Sequence, residues 1–144
     1  MRGARKFCNS VRMAFSVLIV DDNRLFLEAA RALLEREGLR VVGVAATSAE
    51  ALREAEELRP QVILVDITLG DESGFDLARR LAGPGPGDGP AVILISTHSG
   101  ADFADLVAES PAAGFVPKPE LSAEAIRRVV DGRGPGGPRG ARTR

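Results

Sequence analysis

The sequence predicts one doubly wound α/β domain, a five-stranded parallel sheet with five helices. Three observations predict it. Short apolar runs alternate five times with segments of helical period. The first, third and fourth runs, VLIV, VILV and AVILI, are continuously apolar rather than alternating. Strands buried on both faces of a parallel sheet read this way. Last, the carboxyl ends of these runs carry charged or hydroxyl residues, and ligands of such folds bind at that edge.

The elements follow in order. Residues 16–20 form the first strand. A helix follows over 23–38, with Leu25, Ala29, Ala32, Leu33 and Arg36 at helical spacing, Asp22 as N-cap and Gly38 as the stop. The second strand is 40–46. The helix over 47–60 opens with a capping box, Thr47 with Glu50 three residues on, and ends at Pro60. Residues 61–66 form the third strand and 73–83 a helix. GPGPGDGP (83–90) reads only as a loop. Residues 91–96 are the fourth strand, 100–110 a weak helix, 112–117 a short fifth strand and 120–132 the last helix.

The 144 residues suit one core, and 44% hydrophobic with 27% charged residues is ordinary for a soluble domain. Trp and Tyr are absent, which argues against a nucleic-acid surface of stacked aromatics. No direct nucleic-acid binding is expected. No apolar stretch approaches the roughly 18 residues of a membrane span, so no membrane is expected either. The single Cys8 cannot form an internal disulfide, which fits a reducing cytoplasm.

Net charge is −1, but residues 1–15 carry +4, residues 131–144 carry +3 and the body between them −8. The expected organisation is a basic, disordered extension over 1–14, a domain over 15–131 and a disordered Gly/Pro/Arg-rich tail over 132–144. Met13 offers a second start just before the first strand.

The strand ends carry the chemistry. The first strand ends in Asp21-Asp22, the third in Asp66 and the fourth in Ser96-Thr97, and Lys118 follows the fifth. In a parallel sheet these residues meet at one edge. Three carboxylates there repel one another, and a hard divalent cation relieves the repulsion. Mg²⁺ takes a few carboxylates and leaves positions for phosphate oxygens. Lys118 stands out because Lys6 is the only other lysine among 19 basic residues. A compact ammonium suits one phosphoryl oxygen better than a planar guanidinium does.

In order and spacing these residues resemble the receiver domain of two-component response regulators, over roughly residues 16–131. The intervals are 44 residues from Asp22 to Asp66, 30 on to Ser96 and 22 on to Lys118, with Gly74 eight residues past Asp66. Each motif alone is weak, but five in order are specific. The resemblance implies a flavodoxin-like strand order 2-1-3-4-5. It implies Asp66 as phosphoacceptor, and Mg²⁺ held by Asp21, Asp22, Asp66 and the Thr68 backbone carbonyl. Lys118 would neutralise charge on the phosphoryl group. Ser96 and Phe115 would form the switch pair, acting on the face of the fourth helix, fifth strand and fifth helix. Thr68 and His98 would tune dephosphorylation, and the short Thr68 implies a long-lived phosphoform.

The implied phosphodonor is a histidine kinase or phosphotransfer protein. The implied output is binding of an unidentified downstream protein, with a phosphorylation-dependent homodimer left open. The 26 residues after Lys118 are too few for a DNA-binding domain, so a stand-alone receiver is expected. Gly70, where many receivers have proline, is expected to loosen the loop after Asp66. Two other classes compete. A phosphohydrolase of the haloacid-dehalogenase type would need an acid at position 68, where Thr68 stands. A docking module that never needs phosphate would lack an acid, the hydroxyl or the lysine, and none is missing.

Overall fold

The computed structural model describes residues 15–82, 89–97 and 104–132. The expected ends over 1–14 and 132–144 (save Gly132, which closes the last helix), most of the 83–90 loop, the start of the weak helix and His98 lie outside the described residues.

Five long strands form one parallel sheet: β1 (Ser16–Val20), β2 (Arg40–Ala45), β3 (Val62–Asp66), β6 (Ala91–Ser96) and β7 (Gly114–Pro117). Their spatial order is β2-β1-β3-β6-β7. Set aside one small hairpin, and this is the 2-1-3-4-5 order that the resemblance implies. The three central strands are buried along nearly their whole length, as their unbroken apolar runs require. Side chains alternate between two cores. Val17, Ile19, Leu64 and Ile93 face one core, under α1 (Arg24–Arg36) and α5 (Ala123–Gly132). Leu18, Val20, Val65 and Leu94 face the other, under α2 (Ser48–Leu58), α3 (Gly74–Leu81) and α4 (Ala104–Glu109).

The helix starts show how the backbone is placed. Asn23, not Asp22, caps α1: its Oδ1 accepts from the N–H groups of Leu25 at 3.0 Å and Phe26 at 3.2 Å. Asp21 Oδ1 accepts the Asn23 N–H at 2.9 Å, which fixes the capping residue and leaves the Asp22 carboxylate out of the cap. The face of α1 also differs from the expected one. Leu27, Ala30 and Leu34 are buried, while Leu25 is 78% exposed. Both stripes have helical period, and packing against β1, β3 and β6 chooses between them.

Thr47 caps α2 as expected, accepting from Glu50 N–H at 3.2 Å, and Glu50 reaches back to the N–H of Ala46 at 2.9 Å. The last helix starts later than the expected residue 120. A 3₁₀ turn, Lys118–Glu120, comes first. Ser122 then takes the N–H of Ala125, and Glu37 at the end of α1 takes the N–H of Ala123 at 2.7 Å. A first turn with such caps outside it needs no further helix before it.

Between β3 and α3 lies a hairpin that the sequence reading did not anticipate: β4 (Thr68–Leu69) with β5 (Glu72–Ser73). Gly70 takes φ +59 at its turn. A positive φ at the first turn position is what a tight hairpin asks of glycine. Gly70 therefore shapes the turn of this hairpin. Glu72 ties the hairpin to the start of α2 by accepting the Ser48 N–H at 2.9 Å.

Gly74 opens α3 against the backbone of β3. Its N–H donates to Ile67 O at 2.8 Å, and a Cβ at this position would run into the Asp66 carbonyl oxygen and Ile67 Cα. Backbone cannot step aside as a side-chain tip can. Gly74→Ala is expected to cost at least ~2 kcal/mol in urea unfolding, at the upper end of overpacking effects. Gly132→Ala, which meets nothing within 4 Å, is expected to stay within about 1 kcal/mol of wild type.

Candidate functional site

Parallel strands end at one edge, and there the structure gathers residues far apart in the chain. Asp21 follows β1, with its N–H donating to Ala45 O at 3.0 Å. Asp66 closes β3, in register with Ile95. Ser96 closes β6 opposite Pro117, so Lys118 is the next residue beyond the pair. One oxygen from each of Asp21, Asp22 and Asp66 lies within 4.8 Å of the others.

Burial makes this cluster costly. Asp21 is fully buried, Asp66 is buried and Asp22 is exposed. Lys118, with a side chain only 12% exposed, places Nζ 2.5 Å from Asp21 Oδ2 and 3.6 Å from Asp66 Oδ2. At Asp21 the ammonium and the buried carboxylate form a close ion pair. One ammonium against three carboxylates leaves two negative charges. The donor set is all carboxylate oxygen, and the three oxygens are close enough to share one ion. These features fit a hard divalent cation such as Mg²⁺.

Burial pushes the Asp66 carboxyl from its ordinary 3.8 up to about 6. The negative charge of Asp21 adds to the rise, and Asp22 adds less. Lys118 and the Thr68 N–H, which donates to Asp66 Oδ1 at 3.2 Å, pull the other way.

Of the residues singled out from the sequence, Asp21, Asp22, Asp66 and Lys118 meet directly. Thr68 joins through its backbone N–H, with its side chain exposed. Ser96 is buried at the end of the neighbouring strand. Phe115 lies opposite Leu94 and packs half-buried on the core under α2, α3 and α4. By alternation from Val92 and Leu94, Ser96 faces that same side of the sheet. Sequence reasoning missed Phe26. Its ring centroid is 4.4 Å from Lys118 Nζ. The available signal was an aromatic residue in the first helical turn after the aspartate pair.

Residues 17–131 match the family described as response regulator receiver domain. The chain belongs to that family. It is 36% identical over 106 residues to protein-glutamate methylesterase/protein-glutamine glutaminase 3 of Hahella chejuensis, covering 72% of this chain and 30% of that protein. It is 32% identical over 121 residues to the response regulator GacA of Pseudomonas aeruginosa, covering 81% of this chain and 56% of that one. The chain thus spans about a third to a half of the length of these relatives. Among solved structures, the receiver domain of a modulated diguanylate cyclase from Desulfovibrio desulfuricans superposes with a TM-score of 0.67 at 34% identity, covering 82% of this chain and 91% of that one. The receiver domain of the putative response regulator NarL from Mycobacterium tuberculosis gives 0.69 at 28% identity, covering 83% and 96%. Among the described residues no helix is long and apolar enough to cross a membrane.

A raised Asp66 pKa has a stability consequence of definite sign. The folded state holds this proton more tightly than the unfolded one, so without metal, stability falls as pH rises from about 4 to about 6. Asp66→Asn removes the cost. In EDTA at pH 7.5 it is expected to be more stable than wild type by on the order of 1–2 kcal/mol in urea unfolding. The gain should shrink toward zero near pH 4, and Mg²⁺ should narrow the gap at pH 7.5 by stabilising wild type.

Proposed function

We propose that this receiver takes a phosphoryl group onto Asp66 from a histidine kinase or histidine phosphotransfer protein, and signals by changing the face it offers to a downstream protein. The observation that carries the reading is the convergence of Asp21, Asp22, Asp66 and Lys118 at the carboxyl edge of the sheet. An Asp66 carboxylate oxygen attacks phosphorus, the P–N bond of the donor's phosphohistidine breaks, and the imidazole leaves with its electron pair and takes up a proton. Asp66 then carries an acyl phosphate. Mg²⁺, held by Asp21, Asp22, Asp66 and the Thr68 carbonyl, would supply neutralising charge for the phosphoryl oxygens. Lys118 brings its ammonium to the same oxygens, already poised 3.6 Å from Asp66.

On this reading the protein is a phosphoacceptor rather than a turnover enzyme. It has weak self-phosphorylation from small acyl phosphates and slow autodephosphorylation set by Thr68 and His98, and it acts in the cytoplasm. Treatment with a small acyl-phosphate donor and Mg²⁺ should add one phosphoryl mass to wild type. Asp66→Asn, or wild type in EDTA, should gain none. Equal labelling of Asp66→Asn would overturn the assignment.

The switch pair is supported by a shared side of the sheet: Ser96 ends β6 and Phe115 lies on neighbouring β7, both toward the core under α4. Ser96 turning toward a phosphoryl oxygen vacates space that Phe115 can fill, which biases two arrangements of the α4–β7–α5 face. A downstream protein, or a second phosphorylated copy, would bind that face. Amide exchange over residues 97–128 is expected to change on phosphorylation. A change confined to the neighbourhood of Asp66 would refute the coupling.

A further inference from the structure

We propose that Phe26 is a positioning residue for Lys118, its ring holding the ammonium where it meets the incoming phosphoryl group. The proposal rests on the phosphoacceptor reading for its consequence, but the contact itself can be measured without phosphate.

Among the described residues, three groups surround the Lys118 ammonium. Its side chain is 12% exposed, so most of its water is gone, and Nζ has Asp21 Oδ2 at 2.5 Å, Asp66 Oδ2 at 3.6 Å and the Phe26 ring centroid at 4.4 Å. A cation within about 6 Å of an aromatic centroid is attracted by the ring's negative face, and more strongly when desolvated. The ring suits this position chemically. A fourth carboxylate would deepen the like-charge repulsion, compete for the metal and offer a second nucleophile. An aromatic face attracts the ammonium without titrating, binding metal or accepting phosphate.

The backbone that carries the ring is anchored. Asp21 Oδ1 accepts the Asn23 N–H at 2.9 Å, Asn23 Oδ1 accepts the Phe26 N–H at 3.2 Å, and the ammonium over Phe26 returns to Asp21 Oδ2. This closed circuit of Asp21, Asn23, Phe26 and Lys118 sets one wall of the site from the first turn of α1. Phe26 is also half-buried against the core, which restrains the ring further. A free lysine stem has many rotamers, and each one the ring excludes need not be excluded during transfer.

The test uses the full chain and the fact that Lys6 and Lys118 are its only lysines. With ¹³C-labelled lysine, the ε-methylene signal of Lys118 is expected upfield of that of Lys6 in wild type and Phe26→Tyr, and close to it in Phe26→Leu. Under the same conditions, labelling by a small acyl phosphate at saturating Mg²⁺ should slow about 3- to 20-fold in Phe26→Leu and stay within about twofold in Phe26→Tyr. Phe26→Leu also alters core packing. Fluorinated phenylalanines placed at position 26 therefore complete the series, keeping the shape and weakening the ring's negative face. Their rates should fall stepwise with fluorine count at an unchanged melting temperature. Equal rates across the series, or a Lys118 signal that Phe26→Leu does not move, would overturn the proposal while leaving Asp66 labelling intact. A wild type that is never labelled would instead defeat the phosphoacceptor reading, and the role of Phe26 would fall with it.

Discussion

Like charge at the carboxyl edge of the sheet is the constraint on which this site depends. Asp21 and Asp66 are buried and Asp22 stands beside them. In a medium of low polarity, three carboxylates this close cannot all ionise without cationic help. The fold supplies one positive charge through Lys118 and leaves room for more. Burial, and after it the charge of Asp21, raises the Asp66 pKa, and Lys118 offsets only part of that rise. A site held short of neutrality is well prepared to take up a divalent cation, and then a phosphoryl group that arrives with charge of its own.

Much of the surrounding backbone serves to hold that unfavourable arrangement. Asp21 cannot drift from Lys118 because its other oxygen fixes Asn23, whose side chain starts α1. Asp66 is held by the Thr68 N–H on one side, and α3 is brought against its carbonyl through Gly74. Glu72 pins the hairpin after Asp66 to the start of α2. Each contact is ordinary by itself. Together they leave the acids few ways to relax apart, so the electrostatic strain persists and can be spent on binding.

The likeness to a methylesterase protein, to a response regulator and to the receiver domain of a diguanylate cyclase is informative in this light. The chain matches only 30% and 56% of the length of the first two, so a region of this size stands within proteins of different printed function. Function is argued from the site rather than from the fold as such.

The sequence by itself determined the sheet and the acids. Unbroken apolar runs can be satisfied only by burial on both faces, and the parallel arrangement that follows brings Asp21, Asp66, Ser96 and Lys118 to one edge. It also determined the Thr47–Glu50 cap, a local interaction within one turn. Tertiary structure decided what local pattern leaves degenerate. Two stripes of α1 have helical period, and packing on the sheet buries Leu27, Ala30 and Leu34 rather than the stripe holding Leu25. The start of α5 waits until Ala123 because Glu37, at the far end of α1, accepts its first N–H. The hairpin at Gly70 is tied to α2 by Glu72, which accepts the N–H of Ser48, a partner no short window of sequence contains. Phe26 beside Lys118 was invisible for the same reason. A ring and an ammonium from opposite ends of the chain become neighbours only when the last strand is laid down at the sheet's edge.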